Sequence, residues 1–177
     1  MTTPTHPSGR RETRAGHDVL VYTRRFAAPT EDVWAAVPEP HRLERWVGTW
    51  EGDPADGWVG FRMTAEDEAA PAERMWIDEC DPPRRLAIHS STADGSWHLE
   101  LDLEEHDGTT TLSFAQRMSD PGLAADVGPG WDYYLDRLVA AETGGDVAAI
   151  DFTEYHPADS GYYRELFSGP AGSTTSA

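Results

Sequence analysis

The sequence contains no lysine, and its 14 basic residues, all of them arginine, are outnumbered by 32 acidic ones. The formal net charge of the 177-residue chain is therefore −18 at pH 7. A field of this sign repels phosphate backbones and anionic membrane surfaces. Nucleic acids and lipid headgroups are accordingly disfavoured as partners, and we interpret the acidity as a contribution to solubility.

Cysteine is nearly absent as well. Cys80 is the only one, so no disulfide can form within the chain, and this composition fits a reducing compartment. No catalytic signature surrounds Cys80 in the sequence. We therefore interpret it as a small packed residue and not as a reactive thiol.

Motifs that hold metals, phosphates or nucleophiles are missing. The seven histidines include no pair at H-x-H or H-x₃-H spacing, so no metal site is predicted. No G-x-S-x-G element and no glycine-rich phosphate loop occurs. The sequence thus predicts no metal, no cofactor and no catalytic residue.

Long apolar runs are lacking too. The N-terminal stretch has no apolar core of the kind found in secretory signals, and no segment approaches the roughly 18 apolar residues of a membrane span. The expectation from these absences is a cytoplasmic protein.

Aromatic side chains, by contrast, are plentiful, with seven Trp, six Tyr and five Phe. The length suits one domain, which we place at 17–145. Residues 1–16 and 168–177 offer almost nothing to bury and are predicted to be disordered tails. The aromatic segment 146–167 is predicted to pack on the domain or on a second copy of it, so a homodimer stays open.

Hydrophobic periodicity changes along the domain. A first strand is followed by two short helical segments, at 30–37 and 39–46, and then by an alternating pattern with turn residues between the runs. Asp107-Gly108 predicts a tight hairpin between the last two strands. The predicted strands cover 17–26, 48–53, 57–67, 72–81, 84–91, 96–106 and 109–118.

The stretch GPGWDYYLDRL at 128–138 predicts the main helix. Gly128 suits a cap and Pro129 the first turn, so we expect the helix to begin there, while an extension upstream through 123–127 stays open, and to end at Gly144-Gly145. Spacing places one apolar stripe on it, formed by Trp131, Tyr134, Leu135, Leu138 and Val139. The fold class predicted from this order is α+β, with about six to seven antiparallel strands curved around a long C-terminal helix.

Three elements together resemble the SRPBCC superfamily, and within it the AHSA1-type domain, which is related to the activator of Hsp90 ATPase. They are FAAPTEDVWAAV from residue 26, ECDPPRRLAI from residue 79, and GWDYYLDRL from residue 130. The resemblance implies a helix-grip fold with a pocket between the sheet and the C-terminal helix. It does not imply one activity, because superfamily members bind lipids, hormones or polyketides and some catalyse cyclisation or dehydration.

A hydrophobic or aromatic small molecule bound in that pocket is the leading hypothesis. Candidate ligand-binding residues are those on predicted strands and on the helix stripe that could point inward. An exposed strand face is the alternative for the polar ones, and ordinary core packing is the alternative for the aromatic ones. The candidates are Arg62, Trp76, Asp78, His89, His98, Trp131, Tyr134 and Leu138.

Two further functions stay open. A cyclase or dehydratase acting on a polyketide-like substrate would require an inward acid–base pair, for instance a buried histidine beside a carboxylate. An Hsp90-type chaperone partner follows only from the resemblance. It is disfavoured because the eukaryotic activators carry an additional N-terminal domain, where this chain has a short tail. The sequence thus leaves enzymatic activity undecided and favours binding without catalysis.

Overall fold

The computed structural model describes residues 6–92 and 95–170, which form one antiparallel sheet of eight strands and four α-helices. The helices are α1 (Thr30–Ala35), α2 (Pro40–Leu43), α3 (Ala124–Thr143) and α4 (Ser160–Leu166). The strands are β1 (Arg10–Arg14), β2 (His17–Phe26), β3 (Thr49–Glu51), β4 (Trp58–Arg62), β5 (Glu73–Asp81), β6 (Arg85–Thr92), β7 (Gly95–His106) and β8 (Thr109–Arg117).

The sheet order is β1-β2-β8-β7-β6-β5-β4-β3, and the long helix α3 packs against one face of it. The core between them joins sheet residues such as Leu101 and Phe114 to Trp131, Leu135 and Leu138 of α3. The predicted α+β helix-grip fold is confirmed. The strand count exceeds the six to seven that were predicted because of an additional strand near the N-terminus.

That strand is β1, and it corrects the prediction of a disordered tail over residues 1–16. The Ala15-Gly16 pair turns the chain with φ values of 49° and 79°, and β1 then pairs antiparallel with β2. Asp107-Gly108 makes the same kind of turn between β7 and β8, as predicted. β1 has almost no apolar side chain, so its backbone pairing left no hydrophobic pattern to detect. Residues 1–5 lie outside the described part of the chain.

Helix α3 includes the upstream residues 124–127, whose place in the helix the sequence left open. Gly128 and Pro129 lie inside the helix, not at its start. Pro129 has no N–H to donate to the intrahelical hydrogen bond. The glycine at position 128 is explained by close packing of other residues on it. Tyr22 donates its hydroxyl to the Gly128 carbonyl at 2.8 Å, and the ring of Tyr163 lies directly on Gly128. The Gly128-Pro129-Gly130 stretch therefore lies where α3 and α4 are in close contact.

The segment 146–167 lies on the domain itself. Its aromatic side chains Tyr155, Tyr163 and Phe167 are buried there. Of the predicted tail at 168–177, only 168–170 are described, and Ser168 Oγ donates to the Glu165 carbonyl at the end of α4. Within residues 6–92 and 95–170, no helix combines the length and apolar character that a membrane crossing demands.

Candidate functional site

A cavity of about 200 Å³ lies between the sheet and the helices. It is partly open to solvent, and its walls are almost entirely apolar. The walls come from the concave face of the sheet, from the segment containing α1 and α2, and from Trp131 of α3. Four indole rings contribute to them: Trp34, Trp46, Trp50 and Trp131.

Strand alternation supplies most of the wall. Successive side chains of a strand point to opposite faces of the sheet, so every second residue can reach the cavity. Pairs from three strands show this spacing. They are Val59 and Phe61 of β4, Leu86 and Ile88 of β6, and Leu99 and Leu101 of β7.

Strand β5 departs from simple alternation. Its pairing with β6 shifts register between Ile77 and Glu79, which marks a β-bulge. A bulge inserts one extra residue and changes which later positions face inward. Ile77 and Cys80 consequently both border the cavity, although one has an odd number and the other an even one.

The indole N–H groups of three of the four tryptophans are already engaged within the protein. Each donates to a nearby oxygen, so these rings offer the cavity apolar surface and no free donor. The donor–acceptor pairs are Trp46 with the Ala36 carbonyl (3.0 Å), Trp50 with the Pro38 carbonyl (2.9 Å) and Trp131 with Oε1 of Gln116.

Ionisable side chains contribute little to the cavity. Glu100 borders it, but its carboxylate interacts with Arg85 at 3.5 Å and Arg14 at 3.6 Å on the outer face of the sheet. Cys80 lies at the exposed rim. Desolvation and the neighbouring Asp81 raise the pKa of its thiol, so the thiol stays protonated at neutral pH. A protonated thiol is a poor nucleophile.

The family pattern described as Activator of Hsp90 ATPase homolog 1-like protein, AHSA1, matches residues 27–142. The chain belongs to this family. Every residue that borders the cavity falls inside the matched range. No curated protein matches the chain in sequence.

Several solved structures share the AHSA1-type fold with this chain. CalU16 from Micromonospora echinospora is 23% identical, with a TM-score of 0.71 and coverage of 92% of this chain and 97% of CalU16. EF2215 from Enterococcus faecalis, a conserved protein of unknown function, is 19% identical, with a TM-score of 0.65 and coverage of 89% and 88%. DynU16, described as a putative protein in the dynemicin biosynthetic locus, is 21% identical, with a TM-score of 0.55 and coverage of 73% and 49%.

The three candidate residues on α3 of this AHSA1-type domain are all buried, but only Trp131 borders the cavity. Leu138 packs in the core beyond it. Tyr134 donates its hydroxyl to Glu66 at 2.7 Å. Burial and this carboxylate raise the pKa of Tyr134, so its hydroxyl remains a donor.

The five candidates on strands do not border the cavity, and their prediction as pocket residues is not supported by the geometry. Arg62, Trp76, Asp78, His89 and His98 alternate with inward residues, and they lie on the opposite, outer face of the sheet. The physical reason is the register. The inward neighbours, among them Phe61, Ile77, Ile88 and Leu99, take the apolar side because burying them removes apolar surface from water.

Four rings form a row across this outer face. Trp58 lies 6.4 Å from Trp76, which lies 6.4 Å from His89, and His89 stacks on His98 at 5.5 Å. Asp78 contacts Nδ1 of His89 at 2.8 Å. Burial, together with the charges of Arg117 and His89, lowers the pKa of His98. The histidine–carboxylate pair therefore exists, but on the face away from the cavity.

The cavity residues that sequence reasoning missed include three tryptophans from the first third of the domain. Trp34 and Trp46 lie in the predicted helical segments 30–37 and 39–46, Trp50 lies in the predicted strand 48–53, and none of the three is among the predicted ligand-binding residues. In the sequence they stand out only as large apolar side chains within these segments. Their convergence on one cavity requires the tertiary fold.

A second buried cluster lies on another side of α3 and was not predicted. The guanidinium of Arg24 sits between the carboxylates of Asp132 and Asp136, each 3.0 Å away. All three side chains are almost completely buried. The cluster is completed by hydroxyl groups from both ends of the chain: Ser8 and Tyr163 donate to Asp132, and Tyr155 donates to Asp136.

The charges in this cluster are coupled. Burial raises the pKa of Asp136, while Arg24 and the Tyr155 hydroxyl oppose that rise. Burial and Asp132 raise the pKa of Tyr163, which keeps its hydroxyl protonated as a donor. In the part of the chain that the structure describes, no group of three His, Cys, Asp or Glu side chains is arranged to hold a metal ion.

Proposed function

We propose that this chain binds a neutral, largely apolar aromatic molecule in the cavity between the sheet and α3. The observation that carries the proposal is the wall itself, a set of aliphatic and indole surfaces around about 200 Å³ of accessible space. Ligand pockets are typically concave and mostly apolar, with few polar groups. Binding there removes apolar surface of both partners from water, which is favourable at about 25 cal/mol per Å².

The cavity volume limits the size of the ligand. Pockets for drug-sized ligands hold about 300–1,000 Å³, so a cavity of about 200 Å³ suits a smaller molecule. A compound of two or three fused rings fits this description. Charged groups would have to remain at the solvent-exposed rim, because an unpaired charge inside an apolar wall is strongly disfavoured.

Binding without catalysis is the function that this wall favours. A cyclase or dehydratase would require acid and base groups beside the substrate. Among the described lining residues, only Cys80 and Glu100 ionise, and neither presents a charged group to the interior. DynU16, which is described by its place in a biosynthetic locus, supports a role connected with small-molecule metabolism.

Titration with N-phenyl-1-naphthylamine, an uncharged probe whose fluorescence increases in apolar surroundings, tests the proposal. We expect saturable binding to one site per chain. Leu86→Phe places extra volume in the cavity. It should lower the affinity for the probe roughly tenfold, or by about 1.4 kcal/mol of binding free energy. Leu123→Phe is the matched control, because Leu123 is 45% exposed and does not border the cavity.

Alkylation of Cys80 provides an independent readout. The thiol lies at the rim, and it is the only cysteine, so the probe should slow its reaction with a maleimide. Saturable probe binding that Leu86→Phe leaves intact would move the site elsewhere. Failure of the probe and of a panel of two- and three-ring hydrocarbons to bind would refute the proposal.

A further inference from the structure

The mouth of the cavity lies beside those wall residues that are exposed to solvent. Most of the described residues that border the cavity are buried or half-buried. Three are exposed, namely Pro38, Pro54 and Cys80. Pro38 lies between α1 and α2, Pro54 follows β3, and Cys80 lies on β5. Both the helical segment and the sheet therefore reach the mouth.

Trp50 connects these two sides. It lies on β3, borders the cavity, and donates its indole N–H to the Pro38 carbonyl at 2.9 Å. This hydrogen bond is exposed, whereas the indole hydrogen bonds of Trp46 and Trp131 are buried. An exposed bond that joins two residues of the wall lies where the cavity meets solvent. The Trp50–Pro38 bond is thus part of the mouth.

Strand β3 is attached to the rest of the domain by few backbone bonds. It spans three residues at the edge of the sheet and pairs only with β4. On its other side, the Trp50–Pro38 bond joins it to the helical segment. Elements with few buried contacts and exposed hydrogen bonds open at low free energy. Breaking this one bond therefore frees the outer side of β3.

We propose that Trp50 is the gate of the cavity, and that ligands enter and leave between β3 and Pro38 when the hydrogen bond between them breaks. This inference rests on the proposed function and deepens it. The apolar wall determines which molecules bind, and the gate determines how fast they exchange. Passage of a molecule with two or three fused rings requires that β3 and Pro38 separate.

The gate predicts that exchange rates and affinity respond differently to the loss of this bond. The Trp50–Pro38 bond is present before the ligand enters and again after it has entered, so its energy cancels in the dissociation constant. It is broken only during passage, so it raises the barrier in both directions. A hydrogen bond of about 0.5–1.5 kcal/mol corresponds to roughly a two- to twelvefold change in each rate constant.

Stopped-flow mixing with N-phenyl-1-naphthylamine measures both rate constants. Trp50→Phe keeps an aromatic ring in the wall and removes the N–H donor. It should raise the association and dissociation rate constants together, by roughly two- to twelvefold, and change the dissociation constant by less than about threefold. Trp46→Phe is the matched control, because it removes a wall indole whose bond to Ala36 is buried. It should not accelerate association.

A measurement on the wild-type protein avoids any dependence on folding of the variants. Gate and lid motions occur on the microsecond-to-millisecond timescale, which relaxation dispersion detects. In protein labelled with ¹⁵N-tryptophan, the indole N–H of Trp50 should show such dispersion. The buried indole N–H groups of Trp46 and Trp131 should not show it.

The outcomes separate the two proposals. If the probe binds but Trp50→Phe leaves the association rate constant unchanged, the gate is wrong and the binding function stands. The same conclusion follows if Trp46→Phe accelerates association equally, or if the Trp50 N–H shows no dispersion. If neither the probe nor any two- or three-ring hydrocarbon binds, both proposals fail.

Discussion

Two sides of α3 are buried in opposite ways. On one side, Trp131 borders a cavity with almost entirely apolar walls and with space left in it. On the other, Asp132 and Asp136 close around Arg24, and hydroxyl groups fill the remaining positions. One side has room and few polar groups, and the other has charged groups that are almost completely buried against one another.

The apolar side of α3 is suited to binding a ligand, and the charged side is suited to holding parts of the chain together. An apolar wall loses no hydrogen bonds when water or a ligand leaves, so a ligand can exchange there at modest cost. Charges that satisfy one another in the interior cannot receive a ligand without leaving a buried charge unpaired. The cavity lies wholly within the family range 27–142, whereas the polar cluster recruits Ser8, Tyr155 and Tyr163 from outside it. We infer that the cluster fastens both ends of the chain to the domain.

Removing the positive charge of Arg24 should have the largest effect on stability and therefore provides the strongest test of this inference. Arg24→Met leaves two carboxylates buried without their counter-charge, and we expect a loss of about 3–5 kcal/mol in the free energy of unfolding. Urea denaturation provides the measurement. Arg25→Met is the matched control, because Arg25 is exposed on the same strand, and it should change stability by less than about 0.5 kcal/mol. Equal effects of the two variants would contradict a structural role for the cluster.

The two glycines that flank Pro129 offer a sharper comparison, because we expect their substitution by alanine to change stability in opposite directions. A β-carbon at Gly128 would overlap the ring of Tyr163, so Gly128→Ala should displace α4 and cost about 1–3 kcal/mol. A β-carbon at Gly130 meets no atom within 4 Å, so Gly130→Ala should stabilise the helix by roughly 0.5–1 kcal/mol. Thermal unfolding followed by circular dichroism distinguishes them. Destabilisation by both variants would show that the glycines serve the helix backbone and not the contact with α4.

The sequence was sufficient to predict where strands and helices lie, but not which face of each strand points toward the cavity. Alternation located most strands, and the stripe from Trp131 to Leu138 identified α3, because both patterns depend on local geometry. Alternation alone does not say which face of a short strand is inward when both faces carry a large apolar side chain, as Trp76 and Met75 of β5 illustrate. The bulge after Ile77 adds a second ambiguity, since it moves Cys80 to the cavity face.

The polar cluster was invisible for a different reason. Arg24, Asp132 and Asp136 look like solvent-facing residues in sequence, and only long-range packing shows that they meet. β1 was missed because an edge strand can be stabilised by backbone pairing while its side chains remain charged. Patterns of burial thus predict the apolar half of this domain better than the charged half.

The smallest expected effect concerns the outer face of the sheet. His89→Ala and His98→Ala remove two rings of the outer row, which lies across the sheet from the cavity. Binding of N-phenyl-1-naphthylamine should therefore change by less than about twofold, or roughly 0.4 kcal/mol. Leu86→Phe, measured in parallel, provides the positive control from the cavity side. A tenfold loss in either histidine variant, with unchanged thermal stability, would place the ligand on the outer face. It would also restore the histidine–carboxylate pair of His89 and Asp78 as a candidate site, which makes this small effect the most direct check on which face of the sheet is functional.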